Sequence, residues 1–171
     1  RSWPINGKFT DAQKEIYQIV LDAQYAAIDC CRVGQPYTAP HEAARRVLAE
    51  GLIKLGIIEQ SLDEALDIEN GDLRKWYMHN TSHWIGLDVH DVGIYKPNGL
   101  PRLLEEGMCL TVEPGLYFGA WRPDVDCPER YANIGIRIED DVLVTSAEPD
   151  VLTSACPKTI EDIESITGNS F

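Results

Sequence analysis

Three histidines stand in the stretch His79-Asn-Thr-Ser-His83-Trp-Ile-Gly-Leu-Asp-Val-His90. Two glutamates follow in apolar runs, one in Leu-Thr-Val-Glu113-Pro-Gly and one in Gly-Ile-Arg-Ile-Glu139-Asp. A carboxylate in a strand that is otherwise buried is costly unless a cation or a proton neutralises it. The pattern therefore predicts a metal site with both glutamates pointing inward. The alternative for each glutamate is a buried ion pair with arginine.

The spacing of the histidines limits how many of them can be ligands. Imidazole and carboxylate groups are the usual ligands of zinc, manganese, iron and cobalt. His79 and His83 are four positions apart and would share one face of a helix, but the residues at 84–89 favour a turn or a strand. In an extended chain, His83 and His90 point to opposite faces unless a bulge intervenes. Not all three can be simple ligands, and the alternative for each is an ordinary core or surface histidine.

Four further polar side chains flank the pattern. Arg137 precedes Glu139 by two residues, so on a strand it can hold that carboxylate or a neighbouring one, or form an ordinary salt bridge. Tyr117 can offer its phenol to a developing oxyanion, or it is an aromatic side chain at a strand end. Asp88 and Asp91 can orient an imidazole as hydrogen-bond acceptors, or they cap surface turns.

Composition and charge exclude several classes of partner. The chain has 171 residues, the size of one ordinary domain. Its 28 acidic and 15 basic residues give a net charge of -13, which disfavours binding to nucleic acid or to anionic membranes. No apolar run reaches the about 18 residues of a membrane span, and no signal peptide is visible. Five cysteines without a C-x-x-C pair fit a reducing environment, so we expect a cytoplasmic protein.

The first third of the sequence has helical periodicity. Thr10-Asp-Ala-Gln13 is a capping-box pattern, and the apolar residues after it predict a helix over about 11–32. A second periodic series predicts a helix over about 40–55, with Gly56 in the C-terminal cap position.

Strands are expected after the helices. From about residue 76 to 145 the sequence consists of short apolar runs separated by Gly and Pro, which predicts strands, most clearly at 108–116 and 134–144. Residues 159–166 predict a last short helix. Because helices precede strands instead of alternating with them, the pattern indicates an α+β fold with an antiparallel or mixed sheet.

Over nearly its whole length the chain resembles a known peptidase family. From Trp3-Pro-Ile-Asn-Gly onward, and above all in Ser-His83-Trp and Leu-Asp-Val-His90-Asp-Val-Gly, it is similar to the catalytic domain of the aminopeptidase P family of M24 metallopeptidases. These motifs are closer to those of aminopeptidase P than to those of prolidase. The resemblance implies a pita-bread fold, in which two pseudo-symmetric halves enclose two divalent metal ions. The second half and the C-terminal tail are expected here.

The resemblance also implies a ligand set. Metal ligands would be His83, Glu113 and Glu139, with Glu139 bridging both ions and Glu113 also acting as general base toward the attacking water. Manganese is the expected metal, with zinc or cobalt as alternatives. The family's two aspartate ligands would precede Arg1, and no acidic pair replaces them in this chain. With three of the five ligands, the chain is expected to be a fragment with little or no activity alone.

The remaining site residues receive roles by the same resemblance. His79 and His90 would contact the substrate and stabilise the tetrahedral intermediate, Tyr117 would contact the substrate, and Arg137 would support the site. The implied reaction is removal of an N-terminal residue that precedes proline.

Three alternative functions and one surface property remain open. Prolidase activity on Xaa-Pro dipeptides and a non-catalytic pita-bread module that binds proteins are the alternatives to the aminopeptidase, and an independently folded domain with its own role is a third. Where the missing half should pack, we expect an apolar face and an unpaired sheet edge, and hence a homo-oligomer or self-association through that seam.

Overall fold

Helices occupy the first 65 residues and the C-terminal end, and the strands lie between them. The computed structural model describes residues 1–119, 122 and 125–167. The helices are α1 (Asp11–Asp29), α2 (Ala39–Lys54), α3 (Leu62–Ala65) and α4 (Ile160–Ile166). The strands are β1 (Cys109–Val112), β2 (Gly115–Tyr117), β3 (Gly135–Arg137), β4 (Asp140–Leu143) and β5 (Asp150–Val151).

The long helices begin and end at the signals in the sequence. Thr10 caps α1 by accepting the Gln13 N–H, while the Gln13 side chain accepts the Thr10 N–H. After α2, Gly56 adopts a left-handed conformation (φ 69°) and donates its N–H to the Ile53 carbonyl. The two helices pack on each other through fully buried side chains such as Val20 and Leu48.

The strands form two small antiparallel sheets. One sheet has the order β1-β4-β5, with Leu110 opposite Val142, and the other pairs β2 with β3, with Leu116 opposite Ile136. These four side chains are buried, and α1 packs against β1, β2 and β3. Helix α1 thus supports both sheets from one side.

The two long strands expected at 108–116 and 134–144 are each broken in the middle. Pro114 has no N–H for a ladder bond, so the first run divides into β1 and β2. The second run divides between Ile138 and Asp140, where the Ile138 N–H donates to the Pro114 carbonyl instead. One glutamate lies at each break, which brings both breaks to the same place in the fold.

The expectation of strands from residue 76 onward is wrong for residues 76–108. The first strand of the described part begins at Cys109, and the preceding segment contributes an isolated bridge between Trp84 and Leu110. Its backbone bonds to the His41 side chain, within short turns and to the edge of β1 in place of a continuous ladder. Of the predicted strand range, residues 120, 121, 123 and 124 lie outside the described residues.

Apolar side chains are exposed in the segment that carries the histidines. Leu87, Val89, Val92 and Ile94 all face solvent. This is the type of surface expected at a seam, and self-association through it stays a prediction. Among the described residues, every helix is too short or too polar to span a membrane.

Candidate metal centre

The three predicted ligands converge. His83 lies in the irregular segment before β1, Glu113 follows β1, and Glu139 lies between β3 and β4. One ligand atom of each lies within 4.8 Å of the others. The convergence follows from the pairing of β1 with β4, because that ladder ends with Val112 opposite Asp140 and so places the two glutamates side by side.

The tautomer of His83 directs a lone pair into the cluster. Its Nδ1 lies 3.0 Å from the Trp84 carbonyl oxygen, which can only accept, so Nδ1 carries the proton. Nε2 is then unprotonated in the neutral ring and lies 3.2 Å from Glu113 Oε1. His83 Nε2 and Glu113 Oε1 each present a lone pair, so they repel each other at this distance unless a cation or a proton lies between them.

The electrostatics of the two carboxylates also fit a bound cation. Burial, followed by the negative charge of Glu113, raises the pKa of Glu139. A divalent ion would offset both effects on the Glu139 pKa. The site offers one imidazole nitrogen and several carboxylate oxygens, a set of donor atoms that suits manganese, zinc or cobalt. The residues present therefore fit the metal that the ligand pattern implies.

Glu113 is held by two neighbours. The Thr111 hydroxyl donates to Glu113 Oε1 at 3.0 Å, and Arg137 Nη1 lies 3.2 Å from Oε2. Thr111 Oγ1 also accepts the His83 N–H at 3.0 Å, so one hydroxyl contacts two of the three predicted ligands. Thr111 was not among the predicted site residues, although its position two residues before Glu113 on a strand places both on one face.

Arg137, Tyr117 and His79 form a hydrogen-bond relay beside the carboxylates. Arg137 Nε donates to the Tyr117 hydroxyl at 2.7 Å, and that hydroxyl lies 2.8 Å from His79 Nε2. His79 Nδ1 donates to the Asn80 carbonyl at 2.8 Å, so Tyr117 is the donor to Nε2. Burial raises the pKa of Tyr117 and lowers that of His79, which keeps both groups neutral. The relay fixes the orientation of all three side chains.

His90 lies beside His83, but neither Asp88 nor Asp91 accepts from the Nδ1 atoms of His79 and His83. The His90 ring is exposed and lies edge-on to His83, with 4.4 Å between the ring centroids. The expectation that Asp88 or Asp91 orients an imidazole is wrong for His79 and His83, because backbone carbonyls accept from both of their Nδ1 atoms. Asp88 is exposed, and Asp91 packs against Gly86.

A cleft of about 750 Å³ opens beside the relay. His79, Tyr117 and Arg137 form one side of it, so the relay lies on a surface that a bound peptide can reach. The other described residues that line the cleft are Arg74, Met78 and Arg122.

Residues 1–146 match the model of metallopeptidase family M24. The chain belongs to this family. It is 45% identical to the Xaa-Pro aminopeptidase of Escherichia coli over 97% of this chain and 36% of that relative, and 40% identical to Xaa-Pro aminopeptidase 3 of Rattus norvegicus over 97% and 31%. It therefore spans about a third of the length of these relatives and corresponds to their C-terminal part.

Solved structures show the same fold. The aminopeptidase PepP of Pseudomonas aeruginosa superimposes with a TM-score of 0.90 at 44% identity, over 96% of this chain and 36% of that one. Aminopeptidase P of E. coli with the inhibitor Pro-Leu gives a TM-score of 0.87 at 45% identity, with the same coverage. The expected class, α+β with the pita-bread fold of M24 enzymes, is confirmed for a C-terminal part of that fold.

The backbone beside Glu139 is anchored by an aspartate that the sequence did not single out. Asp140 follows Glu139, its side chain is 0% exposed, and it contacts two cations, Arg1 Nη2 at 2.6 Å and Lys158 Nζ at 2.7 Å. Burial opposes its ionisation, but hydrogen bonds from Lys158, Thr153 and Arg1 lower the pKa of Asp140. Arg1 also donates to the Glu139 carbonyl. This network fixes the backbone next to Glu139.

Replacing Gly115 with alanine is expected to disturb the relay. A Cβ at this position would lie 2.6 Å from the Tyr117 hydroxyl and 2.8 Å from the Ile136 carbonyl, and the backbone atom cannot move freely. We expect a loss of about 1–3 kcal/mol in the free energy of unfolding, measured by denaturant titration. Gly135→Ala in the paired strand is the matched control, because its Cβ would meet the nearest atom of Tyr117 at 3.6 Å. Equal losses in the two variants would contradict this reading.

Proposed function

We propose that this chain supplies one wall of the metal centre of a proline-specific aminopeptidase, which removes an N-terminal residue that precedes proline. The observation that carries the proposal is the convergence of His83, Glu113 and Glu139 within 4.8 Å. Support comes from relatives named Xaa-Pro aminopeptidase, which match 96–97% of this chain. Because the chain spans about a third of their length, the activity is proposed for the complete gene product, and the chain alone is expected to be inactive.

The proposed cofactor is a pair of divalent ions. Manganese is the preferred metal, and zinc and cobalt are the alternatives. His83, Glu113 and Glu139 would hold them from this side. The other ligands, two aspartates in the family pattern, would come from residues outside this chain. When bound, the ions would lower the pKa of the attacking water and polarise the scissile carbonyl.

Glu113 is proposed to act as the general base. Its Oε1 accepts from Thr111 and its Oε2 faces Arg137, so the carboxylate has a fixed orientation while it takes a proton from the water. Protonated Glu113 can then pass that proton to the leaving amine of proline. Arg137, which stays charged throughout, favours the ionised form of Glu113, the form that can accept the proton.

The histidines are proposed to act on the substrate. His90 is exposed beside His83 and can donate a hydrogen bond to the oxyanion of the tetrahedral intermediate. His79 already uses both ring nitrogens, so its contribution depends on the relay through Tyr117 to Arg137. That relay would place His79 and Tyr117 against the peptide in the cleft.

Substrate length tests the proposal. The complete gene product, loaded with Mn²⁺, is expected to release the first residue of Xaa-Pro-Xaa tripeptides and to leave matched Xaa-Ala-Xaa peptides intact. Cleavage of Xaa-Pro dipeptides alone would show a prolidase. Absence of both cleavage and metal binding would show a non-catalytic binding module.

A further inference from the structure

A histidine outside the predicted site contacts the segment that carries the ligands. His41 lies in the first turn of α2, and its Nδ1 is 3.2 Å from the Thr81 backbone nitrogen and 2.9 Å from Thr81 Oγ1. A backbone N–H can only donate, so Nδ1 accepts and the ring proton is on Nε2. His41 therefore presents a lone pair to Thr81.

The Thr81 hydroxyl can also donate to His41 Nδ1. Its oxygen lies 2.6 Å from the hydroxyl of buried Tyr77. Tyr77 can donate to Thr81 Oγ1, and Thr81 can donate in turn to His41 Nδ1. Nδ1 then accepts from two groups of one residue, and both hydrogen bonds depend on the ring being neutral at that atom. Burial, with the positive charge of Arg45 and the proximity of His79, lowers the pKa of His41 to about 4 and keeps it neutral.

Thr81 is the centre of the ligand-bearing segment. It is two residues after His79 and two before His83, and its carbonyl accepts the Glu113 N–H at 2.8 Å. The side chain and the N–H of Thr81 face His41, while its carbonyl faces the strand end. A shift of Thr81 would therefore move one metal ligand directly and a second through a single hydrogen bond.

The segment has little regular structure to hold it otherwise. Residues 79–83 belong to neither a helix nor a strand. On the side of β1 they are held by backbone bonds from Thr111 and Glu113, and on the opposite side by His41 and by the Tyr37 hydroxyl, which donates to the Ser82 carbonyl. The start of helix α2, with His41, and the residue Tyr37 just before that helix are thus what the segment is positioned against.

We infer that His41 is a positioning residue of the metal centre, acting through hydrogen bonds from Thr81 to its Nδ1. His41 is not a metal ligand in this arrangement, and it has no role in proton transfer. The inference rests on the proposed metal site, and it adds a residue of α2 to the groups that determine metal affinity.

Two amide replacements separate the position of the acceptor from the size of the side chain. In the complete gene product, the amide oxygen of His41→Asn can occupy the place of Nδ1. The longer His41→Gln places its amide near Nε2 and leaves Thr81 without its acceptor. We expect His41→Gln to lower the affinity for Mn²⁺ about 10–100-fold, as replacement of groups that orient metal ligands commonly does. His41→Asn is expected to stay close to the parental affinity, and exposed Arg46→Gln on the same helix is the matched control.

Metal affinity, measured by calorimetric titration with Mn²⁺, keeps this test independent of peptidase activity. If the protein cleaves Xaa-Pro peptides, kcat should fall in His41→Gln while KM stays near its parental value. Equal Mn²⁺ affinities in the Asn and Gln variants would overturn the inference. Nitrogen-15 shifts of His41 in the parental protein give a second readout, and a proton on Nδ1 at neutral pH would also overturn it.

Discussion

Replacing Glu113 with glutamine in the complete gene product is expected to lower kcat about 10²–10⁴-fold, the range for loss of a general acid or base. The amide has the shape of the carboxylate and can still accept from Thr111, so the fold should persist. It cannot take a proton from water at neutral pH, and it carries no charge for a metal ion or for Arg137. Steady-state kinetics with an Xaa-Pro-Xaa tripeptide at saturating Mn²⁺ measures the loss.

Glu106→Gln is the matched control for this change. Glu106 is exposed and lies before β1, at the opposite end of that strand from Glu113. Its replacement should leave kcat unchanged. A Glu113→Gln protein that retained kcat within a factor of ten at saturating metal would exclude Glu113 as the general base.

The second large effect is expected in stability. Asp140→Ala should lower the free energy of unfolding by about 3–5 kcal/mol, because it removes one partner of a buried ion pair. The side chain of Asp140 is fully buried, and its removal would leave Arg1 and Lys158 close together without their counter-charge. Denaturant unfolding of the complete gene product, followed by tryptophan fluorescence, measures this loss.

Asp141 provides the neighbouring control. It is half-buried in β4 opposite Thr111, and Asp141→Ala should cost less than about 1 kcal/mol. The comparison separates the buried charge cluster from a general effect of changing this strand. Losses of similar size at both positions would show that Asp140 contributes no more than its strand position.

Local patterns in the sequence were sufficient for the helices. The Thr10 capping box and the Gly56 cap depend on residues within one turn of each other, and both occur in the structure as the spacing indicates. The strands were less predictable, because an apolar run in the sequence does not show where a strand is interrupted. Pro114 divides a run that is otherwise mostly apolar, and its missing N–H was the available signal.

The residues that support the site make contacts between positions that are far apart in the sequence. Asp140 pairs with Arg1 across 139 positions, and His41 reaches Thr81 across 40. No periodicity or spacing rule links such pairs, because they form only when helices and sheets pack. The candidate ligands were recognisable as two glutamates in apolar runs and a histidine in a histidine-rich segment, whereas their supports resemble ordinary helix and strand residues.

Aspartates beside histidines were misleading for the same reason. Asp88 and Asp91 flank His90 in the sequence, yet Trp84 and Asn80 supply the carbonyls that orient His83 and His79. Every residue has a backbone carbonyl, so the sequence contains no signal for this choice. It becomes visible only with the conformation of the irregular segment.

The number and affinity of divalent ions bound per complete gene product test the central claim most directly. Calorimetric titration with Mn²⁺ should show two ions for the parental protein, and Glu139→Gln should lose at least one of them, because Glu139 lies within 4.8 Å of both other ligands. A Glu139→Gln protein that binds the same number of ions with the same affinity, or a parental protein that binds no Mn²⁺, Zn²⁺ or Co²⁺, would contradict a metal centre built on His83, Glu113 and Glu139.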